Sequence, residues 1–152
     1  MNAKEVIGHI RRYVVIIALS AIIINGAVMR IFKTRLFAKW ARKEKLSDLL
    51  LRQAVQEMEA GLVDGDLGGH VYKKRIALKG RGKRGGVRSI IAYKASEKAF
   101  FIFGYAKNEK DNITIEEKKI AKALAGELLA YSIEQLNKLV RKGVFFEVND
   151  DE

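Results

Sequence analysis

The chain has 152 residues, enough for one domain with a real core and too few to expect two. It carries 29 Lys+Arg against 18 Asp+Glu, a formal net charge of +11, so its surface suits a polyanion such as nucleic acid or an anionic membrane. The absence of Cys excludes disulfides, zinc ribbons and thiol nucleophiles and is compatible with the cytoplasm, while His9 and His70 alone argue against a histidine metal site or a Ser-His-Asp triad.

Residues 1–28 read differently from the rest. Arg11 and Arg12 precede "YVVIIALSAIII" (Tyr13–Ile24), and Asn25-Gly26-Ala27-Val28 follows. A spanning helix needs about 20 apolar residues, a length this run reaches only by counting through Asn25 and Gly26. A charged start before an apolar run also has the form of a signal peptide, but no pair of small residues marks a cleavage site. The favoured reading is a start codon placed too early, with Met29 the natural start; a membrane anchor through residues 13–28, or a signal segment, is the alternative. The division expected is therefore an apolar extension (1–28), one domain (29–148) and an acidic tail (149–152).

"MRIFKT" (Met29–Thr34) predicts a strand, and "RLFAKWARKEK" a helix with Leu36, Trp40 and Ala41 on its inner face. Ser47 is an N-cap for "DLLLRQAVQEMEAGLV", where Leu50, Ala54, Val55 and Met58 recur at the helical period. A glycine-rich turn, Gly65–Gly69, closes this part. "HVYKKRIALK" alternates, with Tyr72, Lys74, Ile76 and Leu78 on one face and Lys73, Arg75, Ala77 and Lys79 on the other. After a glycine loop, "VRSIIAYK" (Val87–Lys94) and "AFFIFGYAK" (Ala99–Lys107) read as a hairpin across "ASEK". Thr114 and Glu117 form a capping-box signature opening a helix with Ile120, Ala123, Leu124, Leu128 and Leu129 inward. "YSIEQLNKLVRKG" adds a short helix, and "VFFEV" a brief last strand. This order is that of an α+β domain with a largely antiparallel sheet.

The loop "LKGRGKRGGVR" contains GxGxxG at Gly80, Gly82 and Gly85. A dinucleotide site would need these glycines to open a helix and an acid about 20 residues on to hold the ribose. Here they lead into a strand, and no acid occurs between Asp66 and Glu97, so the match is accidental. The charge is the stronger signal: Lys73, Lys74, Arg75, Lys79, Arg81, Lys83, Arg84, Arg88 and Lys94 fall between Leu67 and Ser96 without one acid. Alternation places Lys73, Arg75 and Lys79 on one side of a strand, with Arg81, Lys83 and Arg84 at its end and Arg88 starting the next. That is a basic surface on a rigid sheet, matched to a phosphate backbone.

"VYKKRIALKGRGKRGGVRSIIAY" followed by "FFIFGYAKNE" resembles the RelE superfamily of bacterial toxins, and within it the HigB-type toxins of type II toxin–antitoxin systems. The resemblance covers Met29 to Val148 and is densest in K-x-R-x-A-x-K-G-x-G-K-R-G-G-x-R and Y-x-K-N-E. It implies a RelE-like α+β fold, a small antiparallel sheet with two N-terminal helices packed on it and C-terminal helices. It also implies a ribosome-dependent mRNA endoribonuclease without metal or cofactor, in which the ribose 2′-OH attacks the adjacent phosphate to give a 2′,3′-cyclic phosphate. The matching catalytic positions are Lys73, Arg75, Arg88, Tyr105 and Lys107, and the RNA-binding ones Lys79, Arg81, Lys83 and Arg84. Phosphate stabilisation falls to Lys73, Arg75 and Arg88; the base is Tyr105 or a lysine, and the acid Arg88 or Lys107. The implied partners are a cognate helix-turn-helix antitoxin, the ribosome and mRNA. Two other functions stay open: a non-catalytic ParE-like toxin that binds DNA gyrase, and a membrane-anchored basic protein that binds anionic lipid through the loop.

Overall fold

The computed structural model describes residues 2–5, 23–24, 27–80 and 82–149. Ile23–Ile24 (β1) and Ala27–Val28 (β2) pair as a minimal antiparallel ladder. Most of the apolar run Tyr13–Ile24, Arg81 and the last three residues lie outside the described residues, as do the side chains of Lys83 and Arg84. Among the described residues no helix is long and apolar enough to cross a membrane.

From Arg30 the order is β3 (Arg30–Thr34), α1 (Arg35–Lys43), α2 (Asp48–Glu59), β4 (Gly65–Gly68), β5 (Val71–Leu78), β6 (Gly82–Lys94), β7 (Lys98–Ala106), α3 (Ile115–Ala130), α4 (Ile133–Arg141) and β8 (Phe145–Glu147). The sheet runs β4-β5-β6-β7-β3-β8, and among its described strands only β3 and β7 are parallel neighbours. The meander β5–β6–β7 is therefore central, and β3 closes the far side of β7.

Alternation sorts the strands' side chains to two cores. Ile76, Leu78, Val87, Ile91, Tyr93 and Phe101 pack under α1 and α2 with Phe37, Ala41, Leu51, Val55 and Met58. Val71, Ile90, Ala92, Phe100, Ile102 and Tyr105 pack under α3 and α4 with Ala121, Ala125, Leu128 and Leu136. Phe32, Phe37, Phe100 and Phe101 are fully buried, each worth about 1.5–3 kcal/mol in removed apolar surface. The expected fold class, with N-terminal helices on the sheet and C-terminal helices after it, is what the chain adopts.

Some expected details differ. α1 buries Phe37 and Ala41, while Leu36 is 66% exposed. The reason is Thr34, whose hydroxyl donates to the Ile102 carbonyl (2.6 Å) and accepts from the Phe37 amide (3.1 Å), turning the first helical residues outward. α3 is rotated likewise: Ala121, Ala125 and Leu128 are buried, Leu124 and Leu129 are half-buried, and Ile120 and Ala123 are exposed. Small residues let α3 lie close to the sheet, which moves the buried stripe off the larger ones. The predicted glycine turn 65–69 is mostly an edge strand, β4, closed by Gly68, Gly69 and His70 at positive φ. The glycine loop also belongs to the sheet, since β6 already begins at Gly82 and the turn is confined to the residues around Gly80, which has φ +84°. Gly86 shows why glycine is needed in the strand: a Cβ there would meet the Ile76 carbonyl oxygen at 2.4 Å.

Candidate phosphate-binding row on the sheet

Register brings three of the proposed catalytic residues into one line. Arg75 of β5 is the direct partner of Arg88 of β6, and Arg88 is the direct partner of Tyr105 of β7. Opposed residues in antiparallel strands project to the same face, and strands lie about 4.8 Å apart, so the row spans two strand gaps, roughly 10 Å. β-Bulges flank it, one between Ile76 and Leu78 and one between Ile90 and Ile91. Bulges increase local twist and re-aim side chains, and they recur beside active sites.

The row is buried and short of partners. Arg88 is 6% exposed, Tyr105 4% and Arg75 half-buried. Arg75 Nε, Arg88 Nη1 and the Tyr105 hydroxyl are all buried without a hydrogen-bond partner among the described residues. Guanidinium nitrogens held out of water without an acceptor among the described residues are unfavourable alone and call for an anion. Ser89 Oγ also lacks a partner, but alternation puts it on the α1–α2 face. Burial pushes the Tyr105 phenol above its ordinary range; Arg88 pulls it back and Glu117 pushes it up further. Tyr105 is thus a protonated donor near neutrality, which weighs against its use as the base.

The other expected residues divide. Lys73 is half-buried on the same strand face as Arg75, opposite Ile90, its stem against Gly65. Lys107 and Lys79 are exposed in the turns after β7 and β5. Arg81, Lys83 and Arg84 fall where the side chains are not described, so their expected RNA contacts lie outside the described residues. Lys74, counted in the basic block, is spent on the other face: its ammonium pairs with Glu57 of α2 at 2.6 Å and is 7% exposed. His70 is an exposed turn residue.

Sequence reasoning missed Asp64, Lys110 and Glu117 as neighbours of the site. The Asp64 carboxylate accepts the Arg75 amide at 2.5 Å, holding β5 at the row. Lys110 lies 5.3 Å from the centre of the Tyr105 ring and pairs with Glu117 at 2.5 Å. The capping box marked Glu117 in the sequence; its pairing with a turn lysine had no local signature.

A small α+β sheet with helices on both faces and a buried row of cations and a phenol defines a compact basic domain of one recognisable class. Residues 29–148 match the family described as RelE toxin of RelE / RelB toxin-antitoxin system, and the chain belongs to that family. It is a toxin of a toxin–antitoxin system. No curated protein matches the chain.

Proposed function

We propose that the domain, residues 29–148, is a ribosome-dependent mRNA endoribonuclease, of HigB type on the K-x-R…Y-x-K-N-E motif. The observation that carries this reading is the cross-strand row Arg75–Arg88–Tyr105, with three buried polar atoms that have no partner among the described residues. A scissile phosphate laid across it receives two guanidiniums and a phenol. As the 2′-oxygen attacks, the phosphorane gains negative charge that Arg75 and Arg88 stabilise. The 2′-OH proton passes to a lysine, Lys73 or Lys107; the O2′–P bond forms and the P–O5′ bond breaks. Tyr105, kept protonated by burial, delivers a proton to the departing 5′-oxygen. The products are a 2′,3′-cyclic phosphate and a 5′-OH.

Lys79, Arg81, Lys83 and Arg84 continue the positive surface along the β5–β6 hairpin and guide the RNA backbone, with the ribosome supplying the positioned message. A cognate antitoxin silences the protein by covering this basic surface. The test is to induce the full chain briefly beside Arg75→Ala and Tyr105→Phe and map new mRNA 5′ ends. Cuts inside translated codons, lost in both variants while each keeps its fold by circular dichroism, are expected. Growth arrest without cuts would remove the ribonuclease reading in favour of a gyrase-binding toxin.

A further inference from the structure

The geometry points to Lys110 and Glu117 as a positioning pair for Tyr105, holding its ring and balancing the charge that Arg88 brings to its hydroxyl. This rests on the ribonuclease reading above. Lys110 Nζ stands 5.3 Å from the Tyr105 ring centre, inside cation–π reach. The same ammonium bonds both Glu117 carboxylate oxygens, at 2.5 and 2.7 Å. Both partners are anchored. The Lys110 amide donates to the Ala106 carbonyl at 3.3 Å, and Glu117 accepts the Thr114 amide at 2.9 Å in the capping box of α3. The turn between β7 and α3 is thus closed against the residue that completes the row.

Stability alone does not account for this arrangement. Thr114 and Glu117 complete the capping box without Lys110, and a half-exposed ion pair adds little to folding. Charge does account for it. Arg88 from β6, Lys110 from the turn and Glu117 from α3 face the phenol from three elements. Arg88 favours the phenolate, whereas Glu117 favours the protonated form. Lys110 first, and then the Thr114 amide, lower the Glu117 carboxyl from its usual range. Without Glu117 the charge of Arg88 would act on the phenol unopposed and its proton would be held less tightly, while Lys110 would lose the carboxylate that fixes it over the ring.

The test uses the full-length protein labelled with 13Cζ-tyrosine, the Tyr105 resonance being assigned by its loss in Tyr105→Phe. Glu117→Gln keeps the capping box, since Gln serves at that position, and removes only the charge. Tyr105 ionisation is expected at lower pH in Glu117→Gln, at higher pH in Lys110→Met, and at the wild-type pH in Lys110→Arg. In cleavage of ribosome-bound message, Glu117→Gln and Lys110→Met lose up to about 100-fold in kcat with little change in KM. Packing that merely loosens would move both titrations the same way, toward an ordinary phenol; that result, or no shift, overturns the inference. Divergent titrations in a protein that cuts no message would leave the pair standing and remove the ribonuclease reading. Message cleavage with parallel titrations would do the reverse.

Discussion

Tyr105→Phe separates a functional hydroxyl from a structural one, because the two roles predict opposite changes in stability. The Tyr105 side chain is 4% exposed and its ring belongs to the core under α3 and α4, so the phenylalanine ring keeps those contacts. What is removed is a buried hydroxyl with no partner among the described residues. Such a group costs about 1–3 kcal/mol of desolvation, so its loss should stabilise the free protein by about 1 kcal/mol once partial hydration is allowed for. At this chain length that corresponds to a rise in Tm of roughly 2–4 °C. Cleavage should fall about 10- to 100-fold over the same substitution, in line with removal of one proton donor. The assay is a thermal melt of wild type and variant, without and with a short RNA carrying a 2′-deoxy block at the cut site. RNA should raise the wild-type Tm by more than the variant's, since ligand stabilisation follows affinity. A variant less stable than wild type in the absence of RNA would refute the reasoning, because it would mean the hydroxyl is satisfied within the fold.

Gly86→Ala should cost about 1–3 kcal/mol, since the added methyl meets the immobile Ile76 carbonyl, and urea unfolding followed by the single Trp40 reads it. Glu57→Gln strands the buried Lys74 ammonium and should lower stability by about 1–2 kcal/mol, less than a fully buried pair because Glu57 is 52% exposed. Its cleavage rate per folded molecule should stay at wild type, the pair being on the face away from the row. Tyr93 and Tyr105 both ionise above the ordinary phenol, Tyr93 through burial and then its bond to Glu59. A raised folded pKa stabilises fully below the unfolded value near 10, and that stability is lost as pH rises beyond it. Stability should therefore fall above about pH 10, and Tyr93→Phe should flatten the fall in an alkaline titration of Tm.

The sequence disclosed elements more readily than faces or rows. Two-residue alternation placed Lys73 and Arg75 on one side of β5 correctly, because the pleat enforces it. Caps at Ser47 and Thr114 were legible because their chemistry is local. Leu36 and Ile120 were assigned inward and lie outward, since helix rotation is decided by tertiary ties such as Thr34 to Ile102. The row itself depends on the register of β6 against both neighbours, and the bulge at Ile90–Ile91 shifts that register by an amount no periodicity reveals. Lys74 looked like one more cation of the basic block until α2 supplied Glu57.

The order of strands also bears on what a growing chain can pair first. The row comes from β5, β6 and β7, three consecutive strands each paired with the next, the kind of local contact that forms early in folding. β3 is made before any of them, yet it needs β7 on one side and β8 on the other. On a growing chain the charged row can therefore be complete while the end of the sheet is still waiting for its last strand. The proposed phosphate-binding row thus belongs to the middle of the chain and does not wait for β8, the last strand to be made.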